Sequence, residues 1–346
     1  MKIFIRADGG KAIGIGHIMR TMVLAKELKK TNEVIFLSKK NENETFDAGI
    51  KILKQNNFFV EYISEKEFME DIISLKRRYS AECIITDSYD VDTRYFDELK
   101  KHFKLSGYID DVNKCYMNVD FIINQNINAL DIDYSKTTNK MTKLFLGTKY
   151  CMMRDEFINE YEKKVEREDV LDILLTLGGM DDKNNTLKLL HILVKTGKNI
   201  HVVIGKAYSN ELIRKLNILS RKNEKIILHE NAIMSDLMCK CDVAIAGCGS
   251  TLYELCAMKV PSIGIIIAKN QKDVAEKMIE NGIVLDAYDI NKFDEEKFRI
   301  SLGKLITDGH VRKTVISNQQ NKINMLGKYE LADKINEFIK GCDGNV

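Results

Sequence analysis

Residues 2–20 read Lys2-Ile3-Phe4-Ile5-Arg6-Ala7-Asp8-Gly9-Gly10-Lys11-Ala12-Ile13-Gly14-Ile15-Gly16-His17-Ile18-Met19-Arg20. Residues 2–6 form a short, β-prone apolar run that suits a strand. Ile18, Met22, Ala25 and Leu28 then recur at helical spacing, so a helix is expected from His17 to Lys30. Between them lie Gly9, Gly10, Gly14 and Gly16, four glycines in eight residues. So many glycines mean that the backbone bends sharply or lies against something. Strand, glycine loop and helix together open an α/β unit.

The same alternation continues along the chain. Strands are expected at 2–6, 33–38, 58–62, 83–87, 105–110 and 121–124, and again at 171–177, 200–205, 225–229, 242–246 and 262–267. Ile173-Leu174-Leu175 and Val202-Val203-Ile204 are apolar on both faces, as parallel strands covered by helices require. The pattern breaks at the charged stretch 156–169, which reads as a linker or an exposed helix. The expected organisation is therefore α/β, with two Rossmann-like domains, a parallel sheet in each and a cleft between them. The domains are expected at 1–155 and 165–290. The tail 291–346 reads as a helical extension, with Phe298, Leu302, Leu305 and Ile306 on one face.

Bulk properties narrow the function classes. Of 346 residues, 45% are hydrophobic and 30% charged, a balance that suits a globular chain with a sizeable core. There are 53 basic and 51 acidic residues, for a net charge of +2, which argues against nucleic-acid binding. No apolar run is long enough to span a membrane, and the N-terminus is too soon charged for a signal peptide, so a cytoplasmic protein without membrane insertion is expected. Eight cysteines are scattered, and Cys239-x-Cys241 is no zinc pattern. They read as buried free thiols.

In open α/β sheets, ligands bind beyond the carboxyl ends of the strands, so the loops there are the candidate sites. The first carries Asp8, Gly14, Gly16, His17 and Arg20. A glycine loop opening a helix suits a phosphate. Gly-x-Gly alone lacks both the third glycine of a dinucleotide fingerprint and the lysine of a P-loop. A lone histidine more often packs or caps a helix, but one at this place reads as functional. The helix dipole disfavours imidazolium at His17 and leaves it able to act as a base, while a bound diphosphate would push the other way. Arg20 lies one turn on, on the same face.

Gly178 and Gly179 follow the first strand of the second half and read as a tight turn or a ligand loop. Gly247-Cys248-Gly249-Ser250-Thr251-Leu252-Tyr253-Glu254 is the stronger signal. Ser250 is expected to cap a helix running through Met258, with Gly249, Ser250 and Thr251 offering amides and hydroxyls to a diphosphate. Glu254 lies one turn beyond, about 5.4 Å along the axis, within reach of a ribose diol. Phosphate and ribose groups so spaced describe a nucleotide. Asn270 and Gln271 form an amide pair after an apolar strand, able to donate to sugar hydroxyls or leaving-group oxygens, and equally readable as an ordinary polar loop.

Taken in order across residues 3–275, these motifs resemble one family. They are R-A-D-G-x-x-x-I-G-x-G-H-I-M-R at 6–20, D-S-Y-x-x-D at 87–92, I-N-Q-N at 123–126, G-x-x-Y-x-x-x-R-x-E-F at 147–157, G-G-x-D at 178–181, G-x-G-S-T-x-x-E at 247–254 and A-x-N-Q at 268–271. The family is the UDP-2,4-diacetamido-2,4,6-trideoxy-β-L-altropyranose hydrolases (PseG) of pseudaminic acid synthesis, with the related spore-coat polysaccharide proteins (SpsG). The resemblance implies a GT-B fold, UDP held by the second domain and the sugar facing the first. It also implies a metal-independent, inverting hydrolysis of a UDP-sugar, with no cofactor and no particular oligomeric state. Carried over, His17 would activate water, Tyr89 and Asn270 would assist at the sugar and diphosphate, and Gly249, Ser250, Thr251 and Glu254 would bind UDP. Two other readings share this fold: a UDP-sugar glycosyltransferase and a non-catalytic UDP-sugar-binding protein. Asp90-Val91-Asp92 and Asp131-Ile132-Asp133 match the D-x-D of metal-dependent transferases, but such triplets are common by chance.

Overall fold

A computed structural model describes residues 1–10 and 13–343 of the chain. The chain divides into two units. One comprises Met1–Met152 with Met325–Val346, the other Met153–Asn324.

The first unit is built on seven strands: β1 Lys2–Ala7, β2 Glu33–Lys39, β3 Phe59–Ile63, β4 Cys83–Asp87, β5 Leu105–Ile109, β6 Phe121–Asn124 and β7 Lys143–Leu146. All pair in parallel, in the order β3-β2-β1-β4-β5-β6-β7. The helices are α1 Gly16–Leu28, α2 Asp47–Gln55, α3 Phe68–Tyr79 and α4 Thr93–His102. Successive residues of a strand face opposite sides of the sheet. On one side, Ile3 and Ile5 pack with Ile18 and Leu24 of α1 and with Leu331 and Ile335 of the C-terminal helix Gly327–Asp343. On the other, Phe4 packs with Ile72 of α3 and with Phe96 and Leu99 of α4. Both faces are covered, which explains why the middle of β1, Ile3-Phe4-Ile5, is apolar on both sides.

The second unit carries six parallel strands: β8 Asp172–Thr176, β9 Asn199–Ile204, β10 Ile226–Glu230, β11 Val243–Gly247, β12 Ser262–Ile266 and β13 Asp286–Asp289. Their order is β10-β9-β8-β11-β12-β13. Its helices are α5 Asp155–Glu160, α6 Asn185–Leu193, α7 Asn210–Lys222, α8 Met234–Lys240, α9 Thr251–Ala257, α10 Lys272–Glu280, α11 Glu295–Thr307 and α12 Gly309–Lys322. The core joins Ile173, Leu175, Val202 and Ile245 with Leu189 of α6, Leu212 of α7 and Phe298 of α11.

Several elements differ from the sequence expectation. The helix expected at residues 17–30 runs Gly16–Leu28. The strands β7 and β13 were not foreseen. The stretch 156–169, expected to be a linker or an exposed helix, forms the short α5 and then turns inward at Lys164. The Lys164 ammonium is buried and donates to the carbonyls of Met238 at 3.1 Å, Cys239 at 3.2 Å and Cys241. These carbonyls lie at the end of α8, where a cation is favoured. No described helix is long and apolar enough to cross a membrane.

Candidate functional site

In both sheets the strand order reverses beside the first strand. In the first unit, β1 lies between β2 and β4, so the loops after β1 and β4 flank a topological switch point. The loop after β1 closes on itself, with the amides of Gly10 and Gly14 each donating to the other's carbonyl at 2.8 and 2.9 Å. Lys11 and Ala12 of the motif lie outside the described residues. Gly14 has φ +72°, where a side chain is strained. A Cβ at Gly10 would stand 1.7 Å from the Thr45 carbonyl oxygen. Gly10 is therefore required by packing, and Gly14 by conformation. A Cβ at Gly14 or Gly16 would meet no atom within 4 Å, so both border open space.

His17 is the second residue of α1. Its Nδ1 lies 2.6 Å from Oδ1 of Asp87, the last residue of β4. Parallel pairing of β1 with β4 sets Ala7 against Asp87 and so brings the two loops together. Asp87 is buried. Burial alone would push its carboxyl up, but the Arg20 guanidinium and His17 beside it hold it below the ordinary carboxylate value. Burial acts to lower Arg20, and Asp87 overrides it, keeping the guanidinium firmly charged. With Asp87 ionised, Nδ1 carries the proton and Nε2 is the nitrogen able to accept one.

The network extends further. Arg20 Nη1 donates to Asp111 Oδ2 at 3.0 Å, and the Tyr89 hydroxyl donates to the same oxygen at 2.8 Å. The Tyr89 ring meets the His17 ring edge-on, with centroids 4.7 Å apart. Burial, with Asp111 nearby, pushes the Tyr89 phenol well above its ordinary value, so it stays protonated. The structure thus gathers His17, Arg20 and Tyr89 around Asp87 and Asp111. Neither aspartate stood out as a site residue in the sequence. Two signals were available: Asp87 opens the D-S-Y-x-x-D stretch, and each aspartate lies at or just beyond the carboxyl end of a strand. Asp8 does not join the group. It turns to β2, where its Oδ1 accepts from the Lys39 amide at 2.7 Å.

In the second unit the switch point lies between β8 and β11. Gly178, after β8, has φ +95°, and a Cβ at Gly178 or Gly179 would meet nothing within 4 Å. Asp181 closes that turn by accepting from the amides of Asn185 at 2.8 Å and Thr186 at 2.7 Å, at the start of α6. After β11, Gly249 and Ser250 lead into α9, which begins at Thr251. Ser250 occupies the cap position, but its hydroxyl makes no capping hydrogen bond, contrary to expectation, because its backbone is already helical (φ −56°, ψ −25°). Glu254, one turn on, accepts from Arg154 Nη2 at 2.8 Å and Nε at 3.1 Å. Gln271 uses its Oε1 to accept from the Ile267 amide at 2.9 Å. Its Nε2 would lie 3.9 Å from a Cβ at Gly249, so the amide pair and the glycine loop are neighbours. Asn270 sits with Gln271 in a short turn, Lys269–Gln271.

The D-x-D triplets have structural partners. Asp90 pairs with Lys39, Asp92 caps α4 by accepting from the Tyr95 amide at 2.9 Å, and Asp133 accepts from the Ser135 amide at 3.0 Å.

No family model matches the chain. An uncharacterised protein of Methanocaldococcus jannaschii is 30% identical over 276 residues, 76% of this chain and 55% of that protein. The chain therefore spans about half the length of that relative. The UDP-2,4-diacetamido-2,4,6-trideoxy-beta-L-altropyranose hydrolase of Campylobacter jejuni is 27% identical over 287 residues, 82% of this chain and 97% of that one. The spore coat polysaccharide biosynthesis protein SpsG of Bacillus subtilis is 25% identical over 323 residues, covering 89% and 86%. Among solved structures, MurG of Acinetobacter baumannii has a TM-score of 0.67 at 12% identity, covering 97% of this chain and 99% of that one. Alr3699/HepE of Anabaena, in complex with UDP, has a TM-score of 0.64 at 11% identity, covering 99% and 100%. The two parallel sheets and these likenesses give the chain a GT-B-like α/β fold.

Proposed function

We propose that this chain, a homologue of the altropyranose hydrolases and of SpsG, hydrolyses a UDP-linked 2,4-diacetamido-2,4,6-trideoxyhexose and releases UDP. The observation that carries the reading is the 2.6 Å contact between His17 Nδ1 and Asp87 Oδ1. An ionised carboxylate at Nδ1 favours the tautomer protonated there, and in this reading Nε2 is the base.

His17 Nε2 takes a proton from water as the water oxygen attacks the anomeric carbon on the face opposite UDP. The anomeric C–O bond breaks, UDP departs with its electron pair, and the sugar is released with inverted configuration. Asp87 stabilises the imidazolium without taking its proton, since Arg20 holds it ionised. The proton then passes from His17 to solvent. No step calls for a metal ion. In this reading the first unit handles the sugar, with Tyr89 beside the base. Gly249, Ser250, Thr251 and Glu254 of the second unit hold UDP, and Asn270 assists at the diphosphate. The developing charge on UDP is met by backbone amides. The relatives' names support a place in pseudaminic acid or surface polysaccharide synthesis.

The test is to incubate the chain with UDP-2,4-diacetamido-2,4,6-trideoxy-β-L-altropyranose in EDTA and ¹⁸O-water, following free UDP and the sugar by NMR. UDP release, with the label on the anomeric carbon and inverted configuration, is expected. Label in UDP would mean P–O cleavage, and release only when a sugar alcohol is added would mean a transferase. His17→Phe should abolish turnover and leave UDP binding intact.

A further inference from the structure

The R-x-E-F stretch at 154–157 takes no part in the chemistry above. Arg154 precedes α5, yet its side chain points at Glu254 on α9, 100 residues away. Nε and Nη2 both donate to one oxygen, Glu254 Oε1, at 3.1 and 2.8 Å. Nη1 pairs with Glu156. The guanidinium lies 4.7 Å from the centroid of the Phe157 ring, which is itself fully buried. Two carboxylates and an aromatic face therefore hold the guanidinium plane in one orientation. No donor among the described residues meets Glu254 Oε2.

We propose that Arg154 is a positioning residue for nucleotide recognition: its grip on Oε1 turns Oε2 of Glu254 toward the ribose diol of a bound uridine nucleotide. This rests on the reading of Glu254 as the ribose acceptor. Two hydroxyl donors need an ionised carboxylate in a fixed rotamer. Burial works against the charge and pushes the Glu254 carboxyl above its ordinary value, while Arg154 pulls it back. Arg154 thus supplies both the orientation and the countercharge. A lysine at 154 would keep the charge and lose the two-point grip.

The experiment is calorimetric titration of the full chain with UDP and with 2′,3′-dideoxy-UDP. The wild type should prefer UDP by roughly 10- to 100-fold, as hydrogen bonds to a charged group allow. Glu254→Gln should collapse that preference. Arg154→Gln should collapse it as well, while leaving the affinity for the dideoxy nucleotide unchanged, and Arg154→Lys should retain only part of it. Should Arg154→Gln fail to fold by thermal melting, the Arg154→Lys ratio decides. Full preference in the Arg154 variants, or equal weakening of both nucleotides, overturns the proposal; the latter would put Arg154 on the diphosphate. If Glu254→Gln keeps the preference, the ribose reading itself falls and takes the role of Arg154 with it.

Discussion

Arg20 meets Asp87 twice, Nε on Oδ2 and Nη2 on Oδ1, each at 2.6 Å. Oδ1 is also the oxygen that His17 uses. The carboxylate is buried but doubly countered, so it stays ionised and the shared proton belongs to the imidazole. That division of charge is what a water-activating histidine requires.

Asp87→Asn tests it directly. The amide keeps the size of the side chain, but its NH2 can donate to His17 Nδ1 and move the ring proton to Nε2. UDP release should fall by roughly a thousandfold while UDP affinity stays within twofold. Steady-state kinetics and calorimetry would check both. Turnover near the wild-type rate would mean that His17 is not the base.

Arg20→Gln should cost more stability than a surface charge change. It leaves Asp87 buried with His17 as its remaining partner, and breaking such a buried pair costs about 3–5 kcal/mol. Urea unfolding should show the midpoint falling at an unchanged m-value. A loss below about 1 kcal/mol would mean that water replaces the guanidinium without penalty.

Acid should reveal the same group. The folded Asp87 carboxyl sits below its ordinary value, about 3.9 when unfolded. Its stabilising effect is thus complete above about pH 4 and is lost as pH falls toward the folded value. The Asp87→Asn variant should be less stable than wild type at pH 7, and thermal melts should show the gap narrowing below pH 4. A gap that does not change with pH would contradict this.

The two loop glycines should respond differently. Gly10→Ala drives a methyl into the Thr45 carbonyl and should destabilise by about 3 kcal/mol. Gly14→Ala has open space and should cost only the positive φ, about 1 kcal/mol. Chemical denaturation of both variants would rank them, and the reverse order would mean that the loop is packed differently.

The fold was largely legible because covered parallel strands leave continuous apolar runs, as in Ile173-Leu174-Leu175. β7 and β13 escaped for the complementary reason. They are four-residue edge strands with a single partner each, and Lys143 and Asp286 at their starts dilute the apolar signal. His17 was legible because glycines announce a loop after a strand. Its partner was not, since Asp87 lies 70 residues away and only the β1–β4 pairing joins them. The Lys164 anchor was hidden likewise: a lysine in a charged stretch reads as solvated until the carbonyls of α8 are in place. Ser250 shows the limit of a local rule, for a capping residue type stands where the backbone is already helical.

The C-terminal helix gives the first unit a discontinuous sequence. Leu331, Ala332, Ile335 and Ile339 complete a core that residues 3–152 begin. On the ribosome, β1 emerges before Gly327–Asp343, so that core is finished only once this helix follows. Until then the core on that face of the sheet lacks those four residues. A chain stopped at residue 324 should leave its beginning, not its end, unable to hold its shape.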